Sequence, residues 1–179
     1  MTKNITAVVL GAGVGARMKS NLPKVLHKIC GKAMVSHVID SLKASGVDRL
    51  CLVLSEQLEA FKSILDENNE IEVCIQKERR GTGDAVASSV AFFEDVTVPH
   101  YAQVNLYKGF KTKTDHVIIC AGDTPALSSD ILEDFIKSHI EGKWSISVIG
   151  MEMENPSGYG RLIVSGDSLR EIVEHKDAT

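Results

Sequence analysis

The stretch VVLGAGVGARMKSNLPKVLHKICGK, Val8–Lys32, decides how the rest of the chain is interpreted. It completes an apolar, β-branched run, ITAVVL at 5–10, which predicts a buried strand because it ends in glycines. Residues 11–32 contain further glycines and Pro23, so we predict a long loop there with at most one turn of helix. The ligand of that loop has to be found from what surrounds it.

Strands and helices alternate along the rest of the chain. Apolar runs predict strands at 49–54, 71–76, 116–122 and 144–151, and a hairpin at 161–174. Helical spacing predicts helices at 34–45, 56–67, 81–93 and 128–142, with Ser55 as an N-cap and an irregular segment at 94–114. The first strands, and the strand at 116–122, look buried. We therefore predict a Rossmann-like α/β fold, a mainly parallel central sheet with helices on both faces, in one domain over residues 1–179.

Composition limits the class of protein. Of the 179 residues 44% are apolar and 25% are charged, which is ordinary for a globular domain. No apolar run is long enough to span a membrane, and no export signal is visible. Four cysteines without a C-x-x-C pair favour reduced, mostly buried thiols in a cytoplasmic protein. The net charge of −4 disfavours nucleic acid as a partner.

Charge is distributed unevenly along the chain. Residues 1–39 contain no acid, and the first acidic residue is Asp40. The same segment contains six basic side chains: Lys3, Arg17, Lys19, Lys24, Lys28 and Lys32. A cationic segment in an acidic protein indicates a small anionic ligand.

Three loops that follow predicted strands contain most of the polar residues of interest. They are Gly11–Arg17, Gln76–Thr82 and the pair Gly122-Asp123. Ligands of parallel sheets bind at the carboxyl ends of the strands, so we expect these loops to form one site.

Two familiar nucleotide motifs fit the first loop poorly. Gly11-x-Gly13-x-x-Ala16 satisfies the dinucleotide fingerprint, but Pro23 would interrupt the helix it needs. The second strand also lacks the terminal acid that binds a ribose, so an NAD-dependent oxidoreductase is disfavoured. A P-loop is disfavoured because Lys32 is followed by alanine.

A triphosphate fits better. Small residues let backbone amides approach a phosphate or a base. Arg17 offers a guanidinium fork and Lys24 a point charge, and Pro23 stiffens the backbone before Lys24.

The motifs together resemble the sugar-1-phosphate nucleotidyltransferases. The signature loop of that family is similar to Gly11-Ala12-Gly13-x-Gly15-x-Arg17-Met18-x5-Pro23-Lys24. Further blocks follow in the family's order: Gln76, Gly81-Thr82-Gly83-x-Ala85, Gly122-Asp123-x-Pro125, Asn155-Pro156-x-Gly158-Tyr159-Gly160-Arg161 and Glu174-x-Lys176-Asp177-Ala178-Thr179. The last two blocks resemble the uridyltransferase domain of the bifunctional bacterial enzymes that make UDP-N-acetylglucosamine, a precursor of cell wall and lipopolysaccharide.

The resemblance implies a reaction and a set of roles. A uridylyl group would pass from UTP to N-acetylglucosamine 1-phosphate, releasing pyrophosphate and requiring no nucleophilic side chain. Arg17 and Lys24 would be catalytic and bind the phosphates, and Asp123 would ligate Mg²⁺. The nucleotide would be held by Leu10, Ala12, Gly13, Gln76, Gly81 and Thr82, and the sugar by Gly160 and Glu174.

The chain also departs from the family. Gly11 stands where an alanine is usual, Ala16 where threonine is usual, and Asp84 where histidine is common. The region around 94–115 resembles a loop insertion. The family continues past residue 179 with further strands, two asparagine ligands and a β-helix acetyltransferase domain. We therefore expect an incomplete domain with an exposed sheet edge, in which the family's trimer is disfavoured.

Two alternatives stay open. One is a nucleotidyltransferase that uses another sugar or polyol phosphate or another nucleotide, and the other is a protein that binds UTP without turnover.

Overall fold

The computed structural model describes residues 4–13, 15, 18–78, 80–93, 106–108, 113–166 and 168–177. The chain folds as two compact units, Met1–Ile136 and Lys137–Thr179, and each is described by itself. Most of the predicted insertion, at 94–105 and 109–112, lies outside the described residues.

The described part of the chain contains nine strands and four α-helices. The strands are β1 (Ile5–Leu10), β2 (Lys28–Ile29), β3 (Lys32–Ala33), β4 (Arg49–Leu54), β5 (Glu72–Ile75), β6 (Leu106–Lys108), β7 (His116–Ala121), β8 (Arg161–Ser165) and β9 (Ser168–Val173). The helices are α1 (Met34–Ala44), α2 (Lys62–Glu67), α3 (Thr82–Ser88) and α4 (Ser129–Glu141). Within these ranges no helix is long and apolar enough to cross a membrane.

The first unit is built on a five-stranded sheet with the order β6-β5-β4-β1-β7. Neighbours from β5 to β7 are parallel, and β6 pairs with β5 in the antiparallel direction. Every residue of β4 from Leu50 to Leu54 is buried. Because successive side chains of a strand point to opposite faces, both faces of the sheet are covered there. The predicted Rossmann-like α/β fold is confirmed.

The edge strand β7 differs from its prediction. Its side chains alternate between buried and exposed, with Val117 44% and Ile119 50% exposed. Ile118 and Cys120 are buried while Val117 and Ile119 are exposed, so within the described residues one face of the strand is covered and the other is not. It is therefore a half-buried strand at one end of the described sheet.

Two other segments of the first unit also differ. The region predicted as one helix at 56–67 is a 3-10 turn at Leu58–Phe61 followed by α2, and its N-caps make no side-chain hydrogen bond. The long loop contains the predicted single turn, a 3-10 helix at Lys24–Leu26. It also contains the short antiparallel pair β2–β3, which we did not predict.

The second unit confirms one strand prediction and corrects another. β8 and β9 form the predicted antiparallel hairpin. Residues 144–151, predicted as a strand, form no regular structure, and Ile146 is 79% exposed. A strand needs a neighbour for its backbone hydrogen bonds, and the backbone of this segment has no strand partner within the described residues.

The cysteines are mostly buried, as predicted. Cys51, Cys74 and Cys120 are buried and Cys30 is exposed, and all four are free thiols. Burial raises the pKa of Cys120 to about 11, so this thiol is uncharged at neutral pH.

Arg49 holds a carboxylate at the amino ends of β4 and β5. Its guanidinium forms an ion pair with Glu72, whose side chain is 6% exposed, and lies 5.4 Å from the Phe92 ring centroid. We expect Arg49→Met to lower the free energy of unfolding by about 2 kcal/mol, because a buried carboxylate loses a cationic partner. Urea denaturation measures this.

Lys43→Met is the matched control for that change. Lys43 pairs with Glu70, whose side chain is 63% exposed, and exposed pairs contribute less than about 1 kcal/mol. Equal losses in both variants would show that burial of Glu72 is not the cause.

Candidate functional site

The carboxyl ends of the parallel strands bring the three predicted loops together. The Gly11 amide donates to the Val53 carbonyl at 2.8 Å, and the Gln76 amide donates to the Leu54 carbonyl at 2.8 Å. The Gly122 amide donates to the Leu10 carbonyl at 2.9 Å. Each loop therefore leaves the sheet at the same edge, beside its neighbour.

The first loop is packed tightly where it leaves β1. A Cβ atom on Gly11 would lie 2.9 Å from Leu54 Cδ2 and 3.3 Å from the Val53 carbonyl oxygen, so a larger residue would require the Leu54 side chain to shift. Ala12 is buried, Leu10 is half-buried and Gly13 is exposed. The predicted role of Leu10, Ala12 and Gly13 in holding the nucleotide stays a prediction.

Lys24 is positioned by the residues on both sides of it. Pro23 precedes the 3-10 turn with φ −49°, and Val25 and Leu26 anchor that turn in the core. Gly15 lies against Lys24: a Cβ on Gly15 would be 2.7 Å from Lys24 Cβ. The backbone therefore holds the base of this lysine while its ammonium extends from the loop.

The Lys24 ammonium donates to Asp123 Oδ2, an ion pair between residues 99 positions apart. The side chains of Lys24 and Asp123 are 38% and 27% exposed, so both groups are accessible to a ligand. This contact satisfies part of the geometry that the sequence predicts, because the basic loop meets the proposed metal ligand.

Asp123 follows β7 in a close turn. A Cβ on Gly122 would lie 3.0 Å from the Leu10 carbonyl and 3.2 Å from Val25 Cγ1, so β1 and the Lys24 turn enclose that glycine. Thr124 Oγ1 donates to the Ala121 carbonyl at 2.8 Å and stabilises the turn. The carboxylate is thereby fixed beside the first loop.

A metal at this place would depend on its ligand. Among the described residues no group of three acidic, histidine or cysteine side chains could hold an ion. Mg²⁺ commonly uses one or two carboxylates and takes its remaining ligands from phosphates and water. The single Asp123 carboxylate beside the loop at 11–32 fits that pattern.

Arg17, the second predicted phosphate ligand, lies outside the described residues. Its role in binding the triphosphate stays a prediction.

Gln76 forms the second part of the site. The residue is 5% exposed, and its Nε2 donates to the Gly81 carbonyl at 3.2 Å and to Asp84 Oδ2 at 2.7 Å. Thr82 begins α3 and is exposed. Gln76 also lines an open cleft of about 460 Å³ with Ser55, Glu56, Gln57 and Lys77.

Sequence reasoning did not assign a role to Asp84. Asp84 lies in the first turn of α3, eight positions after Gln76 and three after Gly81. The sequence did contain a signal for this role: an acidic residue follows shortly after the glycine turn and lies near Gln76, which has no other polar partner predicted for it.

The predicted sugar-binding residues lie in the second unit. Arg161 pairs with Val173 in the hairpin register, and Gly160 and Glu174 are the next residues outward on the two strands. They therefore lie at the same end of the hairpin, and both are exposed. Arg161 Nη1 donates to the Pro156 carbonyl at 2.8 Å and orders the turn that precedes β8.

Known proteins share both the sequence and the fold. The chain is 39% identical over 174 residues to the Bifunctional protein GlmU of Clostridium beijerinckii, a match that covers 97% of this chain and 34% of that protein. The Clostridioides difficile protein of the same name is 38% identical over 177 residues, covering 98% and 34%. The chain thus spans about a third of the length of these curated relatives.

Solved structures share the architecture. A putative glucose-1-phosphate thymidylyltransferase from Bacillus anthracis superposes with a TM-score of 0.74 at 15% identity, covering 96% of this chain and 64% of that one. HddC from Yersinia pseudotuberculosis superposes with a TM-score of 0.65 at 24% identity, covering 94% and 68%. At these identities the likeness concerns the fold.

Residues 7–175 match the family described as the MobA-like NTP transferase domain. The match covers the loop at 11–32, the Gln76 loop, Asp123 and the hairpin residues, and it agrees with the resemblance found in the sequence. The chain therefore belongs to the MobA-like NTP transferase domain family and is a nucleotidyltransferase.

Proposed function

We propose that the protein transfers a uridylyl group from UTP to N-acetylglucosamine 1-phosphate in the cytoplasm, with Mg²⁺, giving UDP-N-acetylglucosamine and pyrophosphate. The observation that carries the proposal is the Lys24–Asp123 ion pair at the carboxyl ends of β1 and β7. The ordered motifs at 155–161 and 174–179 and the relatives named Bifunctional protein GlmU support the choice of substrates.

The chemistry follows from charge and position. A phosphate oxygen of the sugar phosphate attacks the α-phosphorus of UTP, and the bond to the β-phosphate breaks. Negative charge moves onto the departing pyrophosphate, and cations held near that place lower the barrier. Lys24 supplies such a cation from a rigid turn, and Arg17 is proposed as a second.

Asp123 would hold Mg²⁺, and the bound ion would neutralise phosphate charge and orient the triphosphate. The carboxylate is engaged by Lys24 in this structure, so the nucleotide would exchange partners: Lys24 to a phosphate, Asp123 to the ion. Gln76, Gly81 and Thr82 would contact the base. Gly160 and Glu174 would contact the sugar.

Pyrophosphate release from UTP and N-acetylglucosamine 1-phosphate tests the proposal directly. Glucosamine 1-phosphate and glucose 1-phosphate serve as matched acceptors, and a preference for either would overturn the proposed sugar. Thermal unfolding with UTP and Mg²⁺, compared with NAD, tests nucleotide binding separately. UTP stabilisation without pyrophosphate release would favour the alternative, a UTP-binding protein without turnover.

Gly15→Ala tests how Lys24 is held. Gly15 has φ +64°, where alanine is strained, and its new methyl group would displace Lys24. We expect UTP affinity to fall about tenfold, because the ammonium moves away from the triphosphate. Equilibrium titration with UTP measures this.

Gly46→Ala is the matched control. Gly46 has φ +80° at the end of α1, and nothing lies within 4 Å of its added Cβ. Both variants place alanine at a positive φ, which should cost each about 1 kcal/mol of stability, and only Gly15→Ala adds the steric contact with Lys24. A similar loss of UTP affinity in both would show that contact with Lys24 is not the reason.

A further inference from the structure

The side-chain amide of Gln76 is held in one orientation. Its nitrogen donates to a carboxylate oxygen of Asp84 and to the Gly81 carbonyl, at 2.7 and 3.2 Å. The Gly81 carbonyl can only accept a hydrogen bond, so the amide group that faces it and the Asp84 carboxylate is the NH₂. Chemistry therefore fixes the amide, whose oxygen and nitrogen are otherwise hard to distinguish.

The two partners are themselves held in place. Asp84 lies in the first turn of α3 and is half-buried. The Gly81 carbonyl also accepts the Ala85 amide at 3.1 Å, which ties it to the same helix. The start of α3 thus forms a rigid pair of acceptors directed at the Gln76 NH₂.

The amide oxygen is left to meet a ligand. In the described part of the chain no hydrogen bond reaches Gln76 Oε1, and Gln76 lines the open cleft of about 460 Å³. An amide whose two N–H groups are engaged can offer the cleft only an acceptor. A nucleobase that pairs with Gln76 Oε1 therefore has to donate an N–H.

Pyrimidine bases differ at this point. Uracil carries a hydrogen on N3, whereas N3 of neutral cytosine is an acceptor. A hydrogen-bond acceptor on the protein can accept from the N3–H of uracil, but it faces the N3 lone pair of cytosine and is repelled. A freely rotating glutamine could satisfy both bases by flipping, so a glutamine alone would discriminate weakly.

We propose that Asp84 is a positioning residue for nucleobase choice: it holds the Gln76 amide so that Oε1 faces the base, which favours uracil over cytosine. The inference rests on the proposed function, in which Gln76 contacts the base of the nucleotide. Asp84 acts through Gln76 and does not itself contact the nucleotide.

The test compares dissociation constants of UTP and CTP for the intact protein. The unaltered protein should bind UTP at least tenfold more tightly than CTP. In Asp84→Ala the amide keeps only its longer bond, to the Gly81 carbonyl, and flips more readily, so the ratio of the two constants should fall about tenfold, towards one. Asp84→Leu, which fills the space with a good helix former, should do the same if the alanine variant does not fold.

Asp84→Asn is the rescue variant. Its side-chain oxygen can still accept from Gln76 Nε2, so the UTP-to-CTP ratio should stay within about twofold of the unaltered protein. If Asp84 had a purely structural role, its loss would weaken the binding of UTP and CTP equally. The UTP-to-CTP ratio would then be unchanged in every variant.

The outcomes separate two failures. If the unaltered protein does not bind UTP, the proposed function is wrong. If it binds UTP but does not distinguish it from CTP, or if the ratio survives in Asp84→Ala and Asp84→Leu, only the role of Asp84 is wrong.

Discussion

Asp123→Asn should lower kcat for pyrophosphate release by roughly 1,000-fold or more, because the protein loses the carboxylate proposed to hold Mg²⁺. The substitution keeps the shape of the side chain and removes its charge. Steady-state assays with UTP, N-acetylglucosamine 1-phosphate and a series of Mg²⁺ concentrations measure this loss.

The same variant should affect binding in the opposite direction when no metal is present. Asp123 holds the Lys24 ammonium in this structure, and asparagine would release that positive charge for a phosphate. Metal-free UTP affinity should therefore be unchanged or higher in Asp123→Asn. Added Mg²⁺ should strengthen UTP binding in the unaltered protein and have little effect in the variant.

Asp130→Asn is the control for the change in net charge. Asp130 is exposed in the first turn of α4 and is not among the proposed site residues. Comparable loss of activity, or of the Mg²⁺ effect, in both variants would contradict a specific role for Asp123.

The parallel sheet could be predicted because its strands carry a strong local signal. β1 and β4 have the predicted bounds, since each is a mainly apolar run that is buried on both faces. The meeting of Lys24 with Asp123 followed from topology, because parallel strands place their following loops at one edge of the sheet. Neither prediction needed knowledge of side-chain packing.

The errors arose where structure depends on a neighbour. Residues 144–151 have a strand-like apolar pattern but lack strand pairing within the described residues. β7 is an apolar run that the sequence predicts to be buried, but within the described residues only one of its faces is covered. The β2 and β3 strands have two residues each, too few to show a period.

The contact between Asp84 and Gln76 could not be predicted for a different reason. It depends on the rotamer of one amide and on the angle at which α3 leaves the Gly81 turn. Neither is recorded in residue spacing. The resemblance in the sequence shows Asp84 where histidine is common in the family, and in the structure Asp84 accepts a hydrogen bond from Gln76.

Lys24→Met should lower kcat/KM by about 100- to 1,000-fold, because it removes the cation that the rigid turn directs at the triphosphate. Methionine keeps the length and apolar stem of lysine, so packing against Gly15 should change little. Lys24→Arg should recover part of the loss, since it restores the charge but not the point geometry of an ammonium. Steady-state kinetics at two ionic strengths measure these effects.

Lys28→Met separates site chemistry from the general field of the basic segment. Lys28 is exposed in β2, and its loss changes the net charge by the same amount. A charge acting through solvent is screened within about 8 Å at physiological ionic strength, so its effect should shrink as salt is added. A charge in direct contact with phosphate is screened less. A large, salt-resistant loss of kcat/KM in Lys24→Met, beside a small, salt-sensitive loss in Lys28→Met, would show that Lys24 acts by direct contact with phosphate. Equal losses in the two variants would show that the positive charge of the whole segment is responsible.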